Sequence, residues 1–178
     1  LAKNAEGYKN LTKLCSLGFI EGKYSVYPRI DKELILKYHK GLIATTCCIG
    51  ASVPKTILEK GEEEGEVEFK WWLDLFGEDY YVELQRHDIP EQNKVNEVLL
   101  KFAKKYEVKI IASNDSHYID QADSNAHDIL LCINTNSKMS DPKMKEESED
   151  GGNKGKRLAP NTPKGISLPL LMNGATSL

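Results

Sequence analysis

A carboxylate and an imidazole stand two residues apart in Ile110-Ile111-Ala112-Ser113-Asn114-Asp115-Ser116-His117-Tyr118, where an apolar run ends. In an extended chain residues i and i+2 point to one side, so an extended path past the run would aim Asp115 and His117 at one point. Strong metal ligands at a strand end are a common way to build a hydrolytic centre. Asp-x-His alone is a weak motif, and its weight depends on what else arrives there.

The elements that would deliver other ligands follow a rhythm. A helical period over 4–20 puts Tyr8, Leu11, Leu14 and Cys15 on one stripe. Asp31 suits the N-cap of a short helix running to about His39, with Leu34, Ile35 and Tyr38 inward and Gly41 as its stop. Gly41 to Thr46 reads as a short buried strand. Pro54 opens a helical region, loosened by Gly61 and Gly65, that ends near Phe76-Gly77. A strand over Tyr80 to Gln85 precedes a helix from Pro90 to Tyr106, and a strand over Val108 to Ala112 precedes a helix from about Gln121 to Cys132. Strand and helix alternate three times, which predicts parallel strands in an α/β sheet or barrel.

Parallel α/β proteins gather ligands at the carboxyl ends of their strands. The three predicted strands run out into Cys47-Cys48, Arg86-His87 and Asp115-Ser116-His117, each with a metal-capable side chain. Glu83, Gln85 and His87 share parity, so Glu83 could reach the same face. Blander roles stand beside these. Cys47 and Cys48 alone read as core cysteines, because Cys is often buried. Glu83 stands between a ligand and an ion-pair partner of Arg86 or a lysine. His39, late in a helix, suits the helix dipole and reads as structural. His127, inside a helix, suits a supporting role rather than direct ligation. Trp71 and Trp72 read as packing, and the run from Glu59 to Glu64 as a solvated face. A His/Asp/Glu set with one thiolate suits Zn, Mn or Fe better than Ca. Such a multinuclear site would hydrolyse phosphoesters by lowering the pKa of a bound water and neutralising phosphoryl charge.

The 178 residues, 40% hydrophobic and 29% charged, describe a soluble globular chain able to bury one sizeable core. A net charge of −3 argues against nucleic-acid binding by bulk charge alone. No apolar run approaches the ~20 residues of a membrane span. Cys15, Cys47, Cys48 and Cys132 lack metal-knuckle spacing and fit a reducing, cytoplasmic setting. The start, Leu1-Ala2-Lys3-Asn4, carries neither an initiator Met nor a signal-peptide pattern and reads as the interior of a longer protein. Residues 1–136 form the candidate folded segment. Residues 137–157 are charged, with little to bury, and read as a flexible loop. Residues 158–178 carry no assignable structure.

The residues also resemble a known family. Leu1-Ala2-Lys3-Asn4, Gly7-Tyr8-Lys9-Asn10-Leu11, Pro28-Arg29-Ile30-Asp31 and Gly41-Leu42-Ile43-Ala44 begin the match. Tyr81-Val82-Glu83-Leu84-Gln85-Arg86-His87, Ile89-Pro90-Glu91-Gln92, Asn114-Asp115-Ser116-His117-Tyr118, Ala126-His127-Asp128 and Leu130-Leu131-Cys132-Ile133 continue it. In this order and spacing they are similar to the bacterial replicative DNA polymerase III alpha subunits, in the later part of the N-terminal PHP (polymerase and histidinol phosphatase) domain. The resemblance covers roughly residues 1–135. It implies a distorted seven-stranded β/α barrel with a polynuclear metal site. Asp115 and His117 match the domain's last Asp-x-His metal motif, His87 the His of its Glu-Leu-Gln-x-His stretch, and Cys48 the cysteine of its Ser-Gly-Cys-type stretch. Glu83 joins them as a further ligand candidate. Here Thr46-Cys47 stand where that stretch has Ser-Gly.

The family's early His-x-His motif and its palm-domain carboxylates are not in this sequence. After Lys156-Arg157 the family's Phe-rich segment is replaced by Leu158-Ala159-Pro160-Asn161-Thr162, as a shifted frame or truncated gene end would produce. The resemblance implies a fragment of a DNA-directed DNA polymerase whose PHP region either proofreads 3′ ends or has a structural role. It implies Zn, Mn or Fe at the PHP site and Mg at the parent's polymerase site. It implies DNA, sliding clamp, clamp loader and proofreading exonuclease subunit as partners, and a cytoplasmic setting. A free-standing PHP phosphoesterase and a non-catalytic, metal-stabilised docking module are the rival readings.

Overall fold

Asn4 sets the start of the first helix. Its side chain accepts a hydrogen bond from the Gly7 N–H at 2.9 Å, satisfying one of the amides a helix N-terminus leaves open. In the computed structural model described here, α1 spans Ala5–Ile20 and buries Gly7, Leu14 and Gly18. The structure describes residues 1–139 except 25, 26, 88 and 137. Tyr8, expected on the inward stripe, is 67% exposed. Gly7 takes its place because backbone packs there: a Cβ on Gly7 would lie 1.7 Å from the Gly41 carbonyl oxygen. α2 (Lys32–Tyr38) starts as read, with the Leu34 N–H donating to Asp31 Oδ1 at 2.8 Å.

The chain divides into two compact units. The first comprises residues 1–85 and 89–113 among the described residues. It carries three parallel strands in the order β1 (Ala44–Thr45), β2 (Tyr80–Leu84), β3 (Ile110–Ala112). Ala44 pairs with Tyr80, and Glu83 with Ile111. All three strands are shorter than the sequence predicts, β2 by a single residue. Residues 42 and 43 are spent elsewhere: the Leu42 N–H donates to His39 O and the Ile43 N–H to Leu1 O. Val108 instead closes the preceding helix, its N–H donating to Ala103 O at 3.0 Å.

The helical region before β2 is two helices, α3 (Ser52–Lys60) and α4 (Glu62–Phe76). Gly61 separates them at φ +98, a value a side chain would resist. α5 runs Pro90–Tyr106, with proline in the first turn where its missing N–H costs nothing. These helices and the sheet enclose one core: Ala44, Val53, Ile57, Phe69, Tyr80, Val82, Val95, Leu99 and Phe102 are among its buried residues. Phe69 is its hub, 5.2 Å between ring centroids from both Tyr80 and Phe102. Two ion pairs, Glu62–Lys101 and Glu66–Lys105, repeat one turn apart along α4 and α5. The run from Glu59 to Glu64 is exposed, as expected of a solvated face. β3 is apolar, yet Ile110 is 48% exposed.

The second unit, residues 86–87 and 114–139 among those described, contains a 3₁₀ turn at Gln121–Asp123 and α6 (Ser124–Thr135). Asp120 and Asp123 cap that turn reciprocally, which delays the α-helix past Gln121. The tail over 158–178 and nearly all of the charged loop over 137–157 lie outside the described residues. No helix among the described residues is long and apolar enough to cross a membrane.

Candidate functional site

In the first unit the chemistry centres on Glu83. The strand register pairs Thr45 with Tyr81 and Glu83 with Ile111, so Thr45, Glu83 and Ser113 advance by two residues from strand to strand. A two-residue step keeps side chains on one face, and the three meet in a polar row across the sheet. Thr45 Oγ1 donates to Glu83 Oε2 at 2.6 Å, and Ser113 Oγ donates to Oε1. Gln85 Nε2 donates to the same Oε1 at 3.1 Å, and its backbone oxygen accepts from Asn96 Nδ2 on α5 at 2.7 Å. The Thr46 hydroxyl accepts the Glu83 N–H at 2.8 Å and prolongs the β1–β2 ladder by one rung. Among the described residues Glu83 is therefore held by hydroxyls and an amide rather than by the cation the sequence offered as one alternative. Gln85 shares the face of Glu83 as its parity predicts, whereas Thr45, Ser113 and Asn96 escaped the sequence reading. The signal was the strand register, which one sequence does not carry.

Glu83 and Gln85 line a small pocket with Cys47, Ile49, Gln92 and Asn96, with room for about one water. Both adjacent cysteines are half-buried thiols. Cys47 adopts φ +56, the left-handed region that favours glycine. Its N–H donates to Thr45 Oγ1 at 3.1 Å, and Ala51 N–H closes a turn onto Cys48 O at 3.0 Å. A hydrogen bond between the two thiols, followed by burial and the nearby Cys48 and Glu83 charges, pushes the Cys47 thiol well above its ordinary range.

The second unit carries three of the four histidines. His87, 3% exposed, has Nε2 2.8 Å from the Asn114 carbonyl oxygen. A carbonyl only accepts, so Nε2 holds the proton and the neutral ring has its lone pair on Nδ1. His117 Nδ1 lies 2.6 Å from the Asp115 carbonyl oxygen, which by the same reasoning puts its lone pair on Nε2. Asp115 has φ +45, so the chain turns there rather than staying extended. That corrects the expected path: the two residues are joined through the Asp115 backbone, not by parallel side chains. Asp tolerates this conformation better than most residues. The ring of His127 on α6 stands 5.8 Å from that of His117 and 5.3 Å from Tyr118, a packing position beside a candidate ligand. His39 keeps its structural role, with Nδ1 2.8 Å from Leu36 O at the end of α2.

An imidazole held by a backbone carbonyl is the usual arrangement of a metal-ligating histidine, since it fixes the tautomer and the ring plane. The donor chemistry of His87 and His117 fits a divalent cation on that ground. Among the described residues, no group of three or more His, Cys, Asp or Glu side chains is gathered closely enough to enclose one.

Comparison with known proteins adds a second line of observation. Residues 1–87 match the PHP domain. The chain is 46% identical over 151 residues to the DNA polymerase III subunit alpha of Borreliella burgdorferi, which is 84% of this chain and 13% of that protein. It is 42% identical over 142 residues to the subunit of Thermus aquaticus, covering 80% of this chain and 12% of the relative. Against the subunit of Deinococcus radiodurans the identity is 40% over 141 residues, 79% of this chain and 10% of that protein. The chain thus spans 10–13% of the length of these relatives.

Proposed function

We propose that this chain, which matches the PHP domain over residues 1–87 and DNA polymerase III alpha subunits along about four-fifths of its length, is the PHP region of a replicative DNA-directed DNA polymerase. The match along about four-fifths of the chain to several such subunits carries this reading. The parent would act on DNA in the cytoplasm beside a sliding clamp, a clamp loader and a proofreading exonuclease subunit. Its polymerase site, with Mg, would lie in the nine-tenths of the relatives' length that this chain does not span.

Within this chain we assign Asp115, His117 and His87 as metal ligands, with Cys48 and Glu83 as further candidates, each taken residue by residue. The carbonyl-held rings of His87 and His117 support the assignment. Zn, Mn or Fe is the matching cation for imidazole, carboxylate and thiolate donors. When bound, it would supply Lewis acidity toward a phosphodiester and an acidified water. The exposed apolar surface of β3 is what an interior strand of a larger sheet would present, and it supports a seven-stranded barrel for the whole domain.

The test uses the intact parent protein. Bound metal is measured by mass spectrometry, and 3′–5′ exonuclease activity is measured on primed DNA, for wild type and Asp115→Asn. Asn accepts the φ of this position, so the substitution changes the ligand and spares the backbone. Loss of metal together with exonuclease activity is the expected result. Bound metal with no activity in either protein would leave a docking module. A reading frame that stops after the PHP domain, with activity on small phosphate monoesters, would make the chain a free-standing phosphoesterase.

A further inference from the structure

Adjacent residues of an extended strand point to opposite faces. Cys47 and Cys48 follow β1 directly, yet their thiols are within hydrogen-bonding reach of each other. The cause is local: Cys47 stands at φ +56, outside the extended region, so the side-to-side alternation of a strand does not hold between the two residues. The turn is pinned before and after. Thr45 Oγ1 holds the Cys47 N–H, the Ala51 N–H holds Cys48 O, and buried Thr46 is tied to Glu83 by its hydroxyl. Both thiols remain part-exposed, so a reagent can reach them.

A disulfide is a poor fit for this pair. Neighbouring Cα atoms are about 3.8 Å apart, below the spacing that disulfides usually bridge. A larger atom bonded to both sulfurs closes the same ring without that constraint. We propose that Cys47 and Cys48 form a preorganised dithiol site for a trivalent, thiophilic Lewis acid with two replaceable hydroxyl groups, of which an organic arsonous acid is the chemical type. Two As–S bonds form while two As–O and two S–H bonds break. Each thiol proton leaves with a hydroxyl as water, and arsenic stays trivalent, so no oxidant or reductant is needed. The site depends on the second thiol at position 47 and on the turn that aligns it.

The probe is phenylarsine oxide, titrated into the 178-residue chain under reducing conditions with a chelator present, so that divalent metal does not compete for Cys48. Intact-mass spectrometry reads stoichiometry, and competition with a dithiol reads affinity. One equivalent is expected on the folded chain, bound at least tenfold more tightly than by the same chain in urea, because the fold prepays the alignment. Cys47→Ser and Cys48→Ser should each lose the adduct, as should Cys47→Gly, whose backbone suits the turn. Cys15→Ser and Cys132→Ser should keep it. An adduct that survives Cys47→Gly, or equal affinity in the folded and urea-unfolded chain, would overturn the proposal.

Discussion

The Thr45 hydroxyl on β1 donates to the Glu83 carboxylate on β2 at 2.6 Å, while its oxygen accepts the Cys47 N–H at 3.1 Å. One side chain thus ties the central carboxylate of the sheet to the turn that carries both cysteines. Thr45→Val keeps the shape and removes both bonds. Because one partner is a carboxylate, the loss should be about 2 kcal/mol. Urea unfolding of wild type and variant measures it; a change within error would mean that water replaces the hydroxyl at no cost.

Cys47 sits in a conformation that costs a side-chain-bearing residue on the order of 1–3 kcal/mol. Glycine avoids that strain but gives back part of the gain as backbone entropy. Cys47→Gly should raise stability by about 1 kcal/mol, whereas Cys47→Ala should not raise it. Equal midpoints for the two variants would show that φ at this position carries no strain.

Gly7 meets the backbone of Gly41 with no space for a methyl group. Because backbone cannot step aside as a side chain can, Gly7→Ala should destabilise by about 3 kcal/mol. Thermal unfolding followed by circular dichroism would read this as a large fall in Tm. Tyr8→Ala next door, at an exposed position, should leave Tm nearly unchanged.

The Tyr80 hydroxyl is buried without a hydrogen-bond partner among the described residues, and burial holds its pKa well above the ordinary range. Phenylalanine would keep the ring contact with Phe69 and delete an oxygen that gains nothing inside. Tyr80→Phe should therefore be neutral or stabilising, by up to about 1 kcal/mol. A clear loss in the chemical-denaturation midpoint would require a partner for that oxygen.

Glu66 on α4 is held by Lys105 and Tyr106 of α5, and these two hydrogen bonds lower its pKa below the ordinary carboxylate range. A depressed carboxylate stabilises the fold above its unfolded pKa, about 4.3, and loses that contribution as pH falls through the folded value. Glu66→Gln should therefore unfold at lower urea than wild type at neutral pH, and the two curves should converge as the pH falls through the depressed folded value. A gap that persists in acid would mean the glutamine acts through packing rather than charge.

Much of the fold was legible in the sequence because it is written in local chemistry. Asp31 caps α2, and Pro90 opens α5, which runs to Tyr106 as read. Three alternations of strand and helix became three parallel strands, since a strand–helix–strand crossover returns the chain in the same direction. The strand ends were less legible. Leu42, Ile43 and Val108 suit strands by type, but their N–H groups have other partners. The inward position of Gly7 was hidden for the same kind of reason: a missing side chain leaves no hydrophobic signal.

For the candidate site the division is similar. Position at the predicted strand ends marked His87, Asp115 and His117, strand parity marked Glu83, and the family resemblance chose Cys48 over Cys47. What surrounds each of them was decided in three dimensions. Glu83 receives hydroxyls from Thr45 and Ser113, residues 38 and 30 positions away, because strand register aligns them. His87 finds the Asn114 carbonyl 27 residues on. The sequence determined which groups can do chemistry and which segments become helix or strand. Only the tertiary structure decided their hydrogen-bond partners and the turns at Cys47 and Asp115, because a backbone reversal and a cross-strand contact are settled by packing rather than by local preference.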